Sequence, residues 1–306
     1  MPDAQVYLYG QILMTHSLLL RDGMPPRDGY GELAARYRLI GGETGVGAAV
    51  LASLGCSVRM AGTWMGRHTR DAVFAYFAGK PVDLSLLTYD ETFDGLEDFV
   101  LIEGDARTCL GTFGQFQGAD GYRWDRPTPA HMAGCKVAAI DPFFGQASED
   151  AARLCVAAGI PYVTIDCAPD SYLASHAAIN AVSGEYLRGS FVGVAREAML
   201  ERYMATCAGL TILTAGNQPL LYGRSGGSVQ RMQPYRVKAE STLGAGDTFK
   251  AGCTYALLHG MTDLATVDFA SALAAAAIMK FPIPLHPPTL ERVSDVQAMR
   301  AASERG

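Results

Sequence analysis

The feature that most restricts this chain is the run Ser241-Thr242-Leu243-Gly244-Ala245-Gly246-Asp247-Thr248-Phe249-Lys250-Ala251-Gly252. Glycines at 244 and 246 permit a backbone path that a Cβ would obstruct, and they let a ligand come close to the main chain. A helical period follows, with Phe249, Cys253, Ala256 and Leu257 on one face and Gly260 as a stop. A glycine turn therefore opens a helix whose first N–H groups lack acceptors. Such a terminus favours anions by roughly 0.3–1 kcal/mol per charge at exposed sites. Asp247 lies in that first turn. It is either a favourable N-terminal charge on an ordinary helix, or a general base beside an anion hole. Spacing alone favours the first reading, because short glycine motifs recur by chance.

A chain of 306 residues can bury a large core, and 49% apolar against 18% charged residues fits a compact globular protein. The net charge of −6 comes with no basic run suited to a polynucleotide, so no nucleic-acid partner is expected. Cysteines 56, 109, 135, 155, 167, 207 and 253 are scattered without a C-x-x-C pair and read as reduced thiols. Gly10, Gln11, Thr15 and His16 interrupt the apolar N-terminal stretch, which has no basic leader. Phe269–Phe281 is too short to span a bilayer. The expectation is a cytoplasmic protein without a membrane partner.

The elements alternate. Val6–Met14, Val58–Trp64, Val137–Ile140, Tyr162–Ile165 and Leu210–Leu213 read as strands. Ala48–Leu54, Asp71–Phe77, Glu149–Ala158 and Gly193–Met204 read as helices. Strand-then-helix order predicts an α/β fold with a mainly parallel sheet covered on both faces. The period breaks between about 88 and 117, where Phe99–Ile102 and Thr108–Phe113 read as antiparallel strands around Gly104-Asp105. With Leu18–Ile40, these form a small β-lid on a single domain spanning 1–306, the lid segments falling at about 15–40 and 88–117.

The run at 241–252 resembles the C-terminal signature of the ribokinase-like (PfkB-type) carbohydrate kinases, D-T-x-G-A-G-D-x-F-x-x-G, with Ser241 in place of the leading Asp. Gly41-Gly42 opening a helix, and Thr214-Ala215-Gly216 after a strand, are similar to two further family motifs. The resemblance spans nearly the whole chain. It implies a three-layer α/β sandwich and an ATP- and Mg2+-dependent transfer of phosphate to a small sugar-like acceptor. On that resemblance Asp247 is the base, and the amides of Gly244, Ala245 and Gly246 hold the transferring phosphate. Thr214, Gly216 and Thr242 contact the nucleotide, and the region of Ala277 lines an adenine slot. Gly41 and Gly42 meet substrate hydroxyls. Family lids often pair between subunits, which implies a homodimer.

Several positions depart from the family pattern. Thr15 stands where the family has a sugar-binding Asp, and Val46 where it usually has Asn. A carboxylate accepts two hydroxyl hydrogen bonds and an amide both gives and accepts, so their loss argues against plain ribose or fructose. Thr44 is either a donor to substrate or a helix cap, and taken alone it reads as a cap. Residues Gly66–Asp71 are basic where the family is acidic. They are either a solvated loop or a cationic rim steering a sugar acid or sugar phosphate, and Arg107 and Arg123 carry the same two readings. Asp166 reads as structural. The N-x-x-E motif is degraded to Ser183–Tyr186, which leaves Glu185 as either a magnesium-shell acid or an exposed helix-start acid. A nucleoside kinase of the same fold, or a catalytically weak ligand-binding relative, are the other classes.

Overall fold

The computed structural model describes residues 4–104, 106–113 and 122–303. In chain order its first half runs β1 (Val6–Gly10), β2 (Leu13–Leu20), β3 (Leu33–Gly41), α1 (Glu43–Ser53), β4 (Val58–Gly62), α2 (Arg70–Phe77), β5 (Val82–Asp83), β6 (Glu97–Glu103) and β7 (Ala106–Gly111). There follow β8 (Val137–Ile140), α3 (Gln146–Ala158), β9 (Tyr162–Ile165), α4 (Tyr172–His176), β10 (Ile179–Val182), α5 (Gly184–Ser190), α6 (Arg196–Thr206) and β11 (Leu210–Leu213). The chain closes with β12 (Leu220–Gly223), β13 (Gln230–Met232), α7 (Ala245–Leu258), α8 (Asp263–Ile278) and α9 (Leu290–Ser303).

A nine-stranded sheet has the order β13-β12-β11-β10-β9-β8-β1-β4-β5, parallel except for the β11–β12–β13 edge. Its inner strands β1 and β8–β12 are short, largely apolar and buried, as a sheet covered on both faces requires, while the edge strand β13 is polar and mostly exposed. Alternation along each strand then sorts the core into two halves. Val6, Leu8, Val137 and Ala139 pack with Leu51 of α1, Cys253 of α7, Leu273 of α8 and Val293 of α9. Tyr7, Tyr9, Ala138 and Ile140 pack with Cys155 of α3 and Leu200 of α6. The result is three layers, helix–sheet–helix. Among the described residues no helix is long and apolar enough to cross a membrane.

A second, four-stranded sheet has the order β3-β2-β6-β7, with β2–β6 parallel and the other two pairs antiparallel. It is drawn from the two segments expected at about 15–40 and 88–117, of which 105 and 114–117 lie outside the described residues. Phe99 and Leu110 are cross-strand partners on this sheet, and both are exposed.

The single strand expected over Val6–Met14 is in fact two, and the break has a physical cause. At Gln11 the chain leaves one sheet for the other. The Gln11 N–H donates to the Asp141 carboxylate at 3.0 Å, and the Ile12 N–H donates to the Thr63 hydroxyl at 3.1 Å. The Gln11 carbonyl accepts the N–H groups of Thr44 and Gly45, which starts α1 earlier than the expected Ala48. The hairpin β12–β13 and strand β10 were not foreseen, because their runs are too short for a period to register.

Asp141, fully buried after β8, is the fastening point of this region. Its Oδ2 accepts from Gln11 and from the Thr44 hydroxyl at 2.9 Å, and its Oδ1 is ion-paired with the buried Lys250 of α7. Gly10 makes the approach possible, since a Cβ there would overlap the Asp141 carboxylate. Gly10→Ala is expected to displace that carboxylate and lower stability by about 1–3 kcal/mol, as overpacking does. A urea midpoint unchanged from wild type would contradict this account.

Candidate active site

A cavity of about 330 Å³, within the range of small-ligand sites, opens between the two sheets. Its walls come from the turn Thr242–Asp247, the start of α1 at Gly41–Glu43, and Thr15 and Asp98 on the second sheet. Asp166 and Glu185 border it after β9 and at the start of α5. The topology explains this gathering. The carboxyl ends of parallel strands face one crevice, and the second sheet stands over it.

Gly244, in a left-handed conformation, is the N-cap of α7, and Asp247 lies in the helix's first turn. Among the described residues the peptide nitrogens of Gly244, Gly246 and Asp247 have no acceptor. The Ala245 N–H instead donates to the Thr242 carbonyl at 3.2 Å. This corrects the set expected from sequence: Ala245 is already committed within the turn. Unpaired N–H groups and the positive end of the helix dipole leave a place suited to an anion.

The titration of the cavity's carboxyls follows from their enclosure. Burial, the largest influence, pushes Asp247 up to about 6; Lys250 and Arg107 oppose the rise, while Asp141 and Asp166 add to it. Glu43 is pushed up to about 8 by burial first, then by Asp247 and Asp141. Burial also raises Asp98 and Asp166, although the latter accepts the N–H and hydroxyl of Ser183 at 2.6 and 2.9 Å. Lys250 stays above its ordinary value despite its burial, because Asp141, Glu43 and Asp247 surround it. Asp247 can therefore exchange between acid and base near neutrality, beside unpaired amides.

The expected site residues divide. Thr15, Gly41, Gly42, Arg107, Glu185, Thr242, Gly244, Ala245, Gly246 and Asp247 all border the cavity. Arg107 reaches from β7 to the Glu185 carboxylate at 3.1 Å and the Thr242 hydroxyl at 3.4 Å, so one side chain ties the second sheet to the turn that opens α7. Thr44 does not border the cavity; buried, it donates to Asp141 and does not cap α1. Ala277 has no accessible surface and belongs to the core, which corrects its place in an adenine slot. Thr214 lies behind Gly184, and the exposed Gly216 turns at φ 59°; neither borders the cavity. Arg67, Arg70 and Arg123 of the expected cationic rim do not border the cavity. Arg67 pairs with Asp94, Arg70 pairs with Asp71 and lies over Phe74 and Tyr89, and Arg123 pairs with Asp90.

Sequence reasoning passed over Glu43, Asp98 and Lys250, and placed Asp141 only as a strand end facing the cleft. Lys250 carried a signal, being a charge inside the apolar stretch Phe249–Leu258, where burial demands a partner. Asp98 carried none. Its place depends on the β2–β6 register that sets it beside Thr15.

Residues 169–281 match the pfkB family carbohydrate kinase. Among curated protein sequences none matches. A putative ribokinase from Agrobacterium tumefaciens superposes with a TM-score of 0.84 at 21% identity, covering 98% of this chain and 99% of that one. Ribokinase from Arabidopsis thaliana, complexed with ribose and ATP, gives 0.77 at 16% identity over 96% and 98%. A putative ribokinase II from E. coli in complex with ATP and Mg+2 gives 0.77 at 16% identity over 97% and 99%. At such identities the likeness establishes the fold. The chain thus has the ribokinase-like fold, and its stretch 169–281, which holds Gly244 and Asp247, is similar to the pfkB family carbohydrate kinases.

Proposed function

We propose that the protein transfers the terminal phosphate of ATP to a hydroxyl of a small sugar or sugar derivative. The observation that carries this reading is Asp247, a carboxyl poised near neutrality, within one turn of the unpaired Gly244 and Gly246 amides and in the same cavity as Gly41-Gly42. Phosphoryl transfer asks mainly for positioning and charge stabilisation. Asp247 accepts the proton of the attacking hydroxyl. The hydroxyl oxygen bonds to phosphorus as the bond to the leaving diphosphate breaks, and the amides hold charge on the transferring group. The second sheet, fastened by Arg107, excludes water from the reaction.

The residues present fit magnesium as a companion of the nucleotide. Among the described residues no cluster of three ligating side chains forms a cage, and magnesium is commonly held by phosphates and water with one or two carboxylates. Glu185, exposed at the cavity edge, and Asp166 are those carboxylates. When bound, the ion would neutralise charge on the phosphate oxygens.

The acceptor on this reading is uncharged. Apart from Arg107 the charged lining is acidic, and the basic stretch at 67–70 is engaged elsewhere. A nucleoside acceptor is the second reading, favoured by the apolar wall of Leu13, Leu39, Val46 and Phe281. A coupled ATPase assay against neutral sugars, sugar acids and nucleosides separates them. Pairing of two copies through the exposed Phe99–Leu110 face belongs to the same proposal, and sedimentation tests it.

Asp247→Asn is expected to fold normally and to lose about 10²–10⁴-fold in kcat. Near-normal turnover in that variant would remove the base assignment. The base acts ionised, so kcat/KM should fall as pH drops through about 6, well above the ordinary 3.8. An acid limb near 4 in the wild-type profile would contradict the burial argument.

A further inference from the structure

Lys250 falls at a position that the glycine–aspartate signature leaves open. Its side chain is 2% exposed, where packing alone would favour an apolar residue. A buried ion pair gains little net stability over an apolar pair, so stability does not account for it. Its placement suggests another task. Lys250 lies three residues after Asp247, hence on the same side of α7, and Asp141 holds its ammonium from the end of β8.

We propose that Lys250 is a positioning residue for the reaction: clamped by Asp141, it is the fixed counter-charge that keeps Asp247 ionised, and so able to take a proton, in a cavity crowded with other carboxyls. This deepens the kinase reading and rests on it. The charged groups bearing on Asp247 come from every neighbouring element: Glu43 from α1, Asp141 after β8, Asp166 after β9, Arg107 from β7 and Lys250 from its own helix. Of the two cations, Arg107 is partly exposed and already paired with Glu185, so water and salt screen it. Lys250 is 2% exposed, so water screens its field less than that of Arg107. Asp141 serves two ends. It makes the buried ammonium tolerable, and its negative charge keeps Lys250 from pulling Asp247 so low that it ceases to be a useful base.

The test is a carbon-13 carboxyl titration of ligand-free protein, with the Asp247 signal assigned by its loss in Asp247→Asn. It requires no turnover. Wild type should titrate near 6. Lys250→Met should move the midpoint up by about 1–3 pH units, the effect of losing a close opposite charge. Lys250→Arg should restore it, and Asp141→Asn should move it down. A merely structural strut would weaken the fold in both variants without opposite displacements. The proposal is overturned if the Lys250→Met midpoint stays at the wild-type value, or if Lys250→Met and Asp141→Asn move it the same way. Should Lys250→Met fail to fold, Asp141→Asn decides, and a midpoint that does not fall overturns the idea. If the titrations behave as expected but no acceptor is phosphorylated, the kinase reading falls and the role of Lys250 as counter-charge stands. If turnover is robust and the midpoints do not move, only the present proposal falls.

Discussion

The ion pair between Lys250 and Asp141 is the contact on which the rest of the structure depends. Asp141 accepts hydrogen bonds from Gln11, where the chain passes between sheets, and from Thr44 in α1. Through Lys250 it also holds α7, so one carboxylate fixes the strand crossing, one glycine-opened helix and the other. A carboxylate with several lone-pair sites suits this use, because it satisfies converging donors without an unpaired remainder. Asp247 takes its place from this arrangement, being a turn away on the helix that the pair anchors.

That fastening leaves an excess of acid. Glu43, Asp98, Asp166 and Asp247 are all pushed upward by burial, and Lys250 is the buried cation among them. Fold stability alone would not select such crowding. Perturbed carboxyls gathered in a cleft mark sites where local rules yield to function. The contrast with the surface is instructive. Arg67–Asp94 and Arg70–Asp71 are pairs in water, where desolvation is small and solvent screens the attraction. Conspicuous in sequence, they matter little to the cavity.

What the sequence disclosed follows the range of the forces involved. Val137–Ile140, Tyr162–Ile165 and Leu210–Leu213 were legible to the residue, since strands buried on both faces are continuous apolar runs ended by polar ones. The glycine turn and Asp247 were legible because local backbone geometry and helix capping are written in adjacent residues. The Gln11 crossing was not legible, for its cause is Asp141, far along the chain. Nor was Thr44, whose hydroxyl looked like a cap until that same carboxylate claimed it. Ala277 failed for a related reason. A run of small residues fits a nucleotide slot or a close helix contact equally well, and α8 packing against α7 made it the latter.

Of the two departures, Thr15 is explained by strand register and Val46 by its contact with the turn at Gly244. Thr15 pairs with Asp98 across β2 and β6, and a hydrogen bond from Thr15 favours the Asp98 anion. Asp98 Oδ1 is buried without a hydrogen-bond partner among the described residues, and the side chain borders the cavity. A carboxylate missing from one strand is thus present on its neighbour. Val46 borders the turn at Gly244, where a Cβ would lie 3.7 Å from its Cγ1, so it forms part of the apolar wall beside that turn. Asp98 thus brings a carboxyl to the cavity from the second sheet, while Asp247 brings one from α7. Strand register is invisible to a linear motif, whereas a glycine turn is not, which is why the turn at Asp247 was readable from the chain and the place of Asp98 beside Thr15 was not.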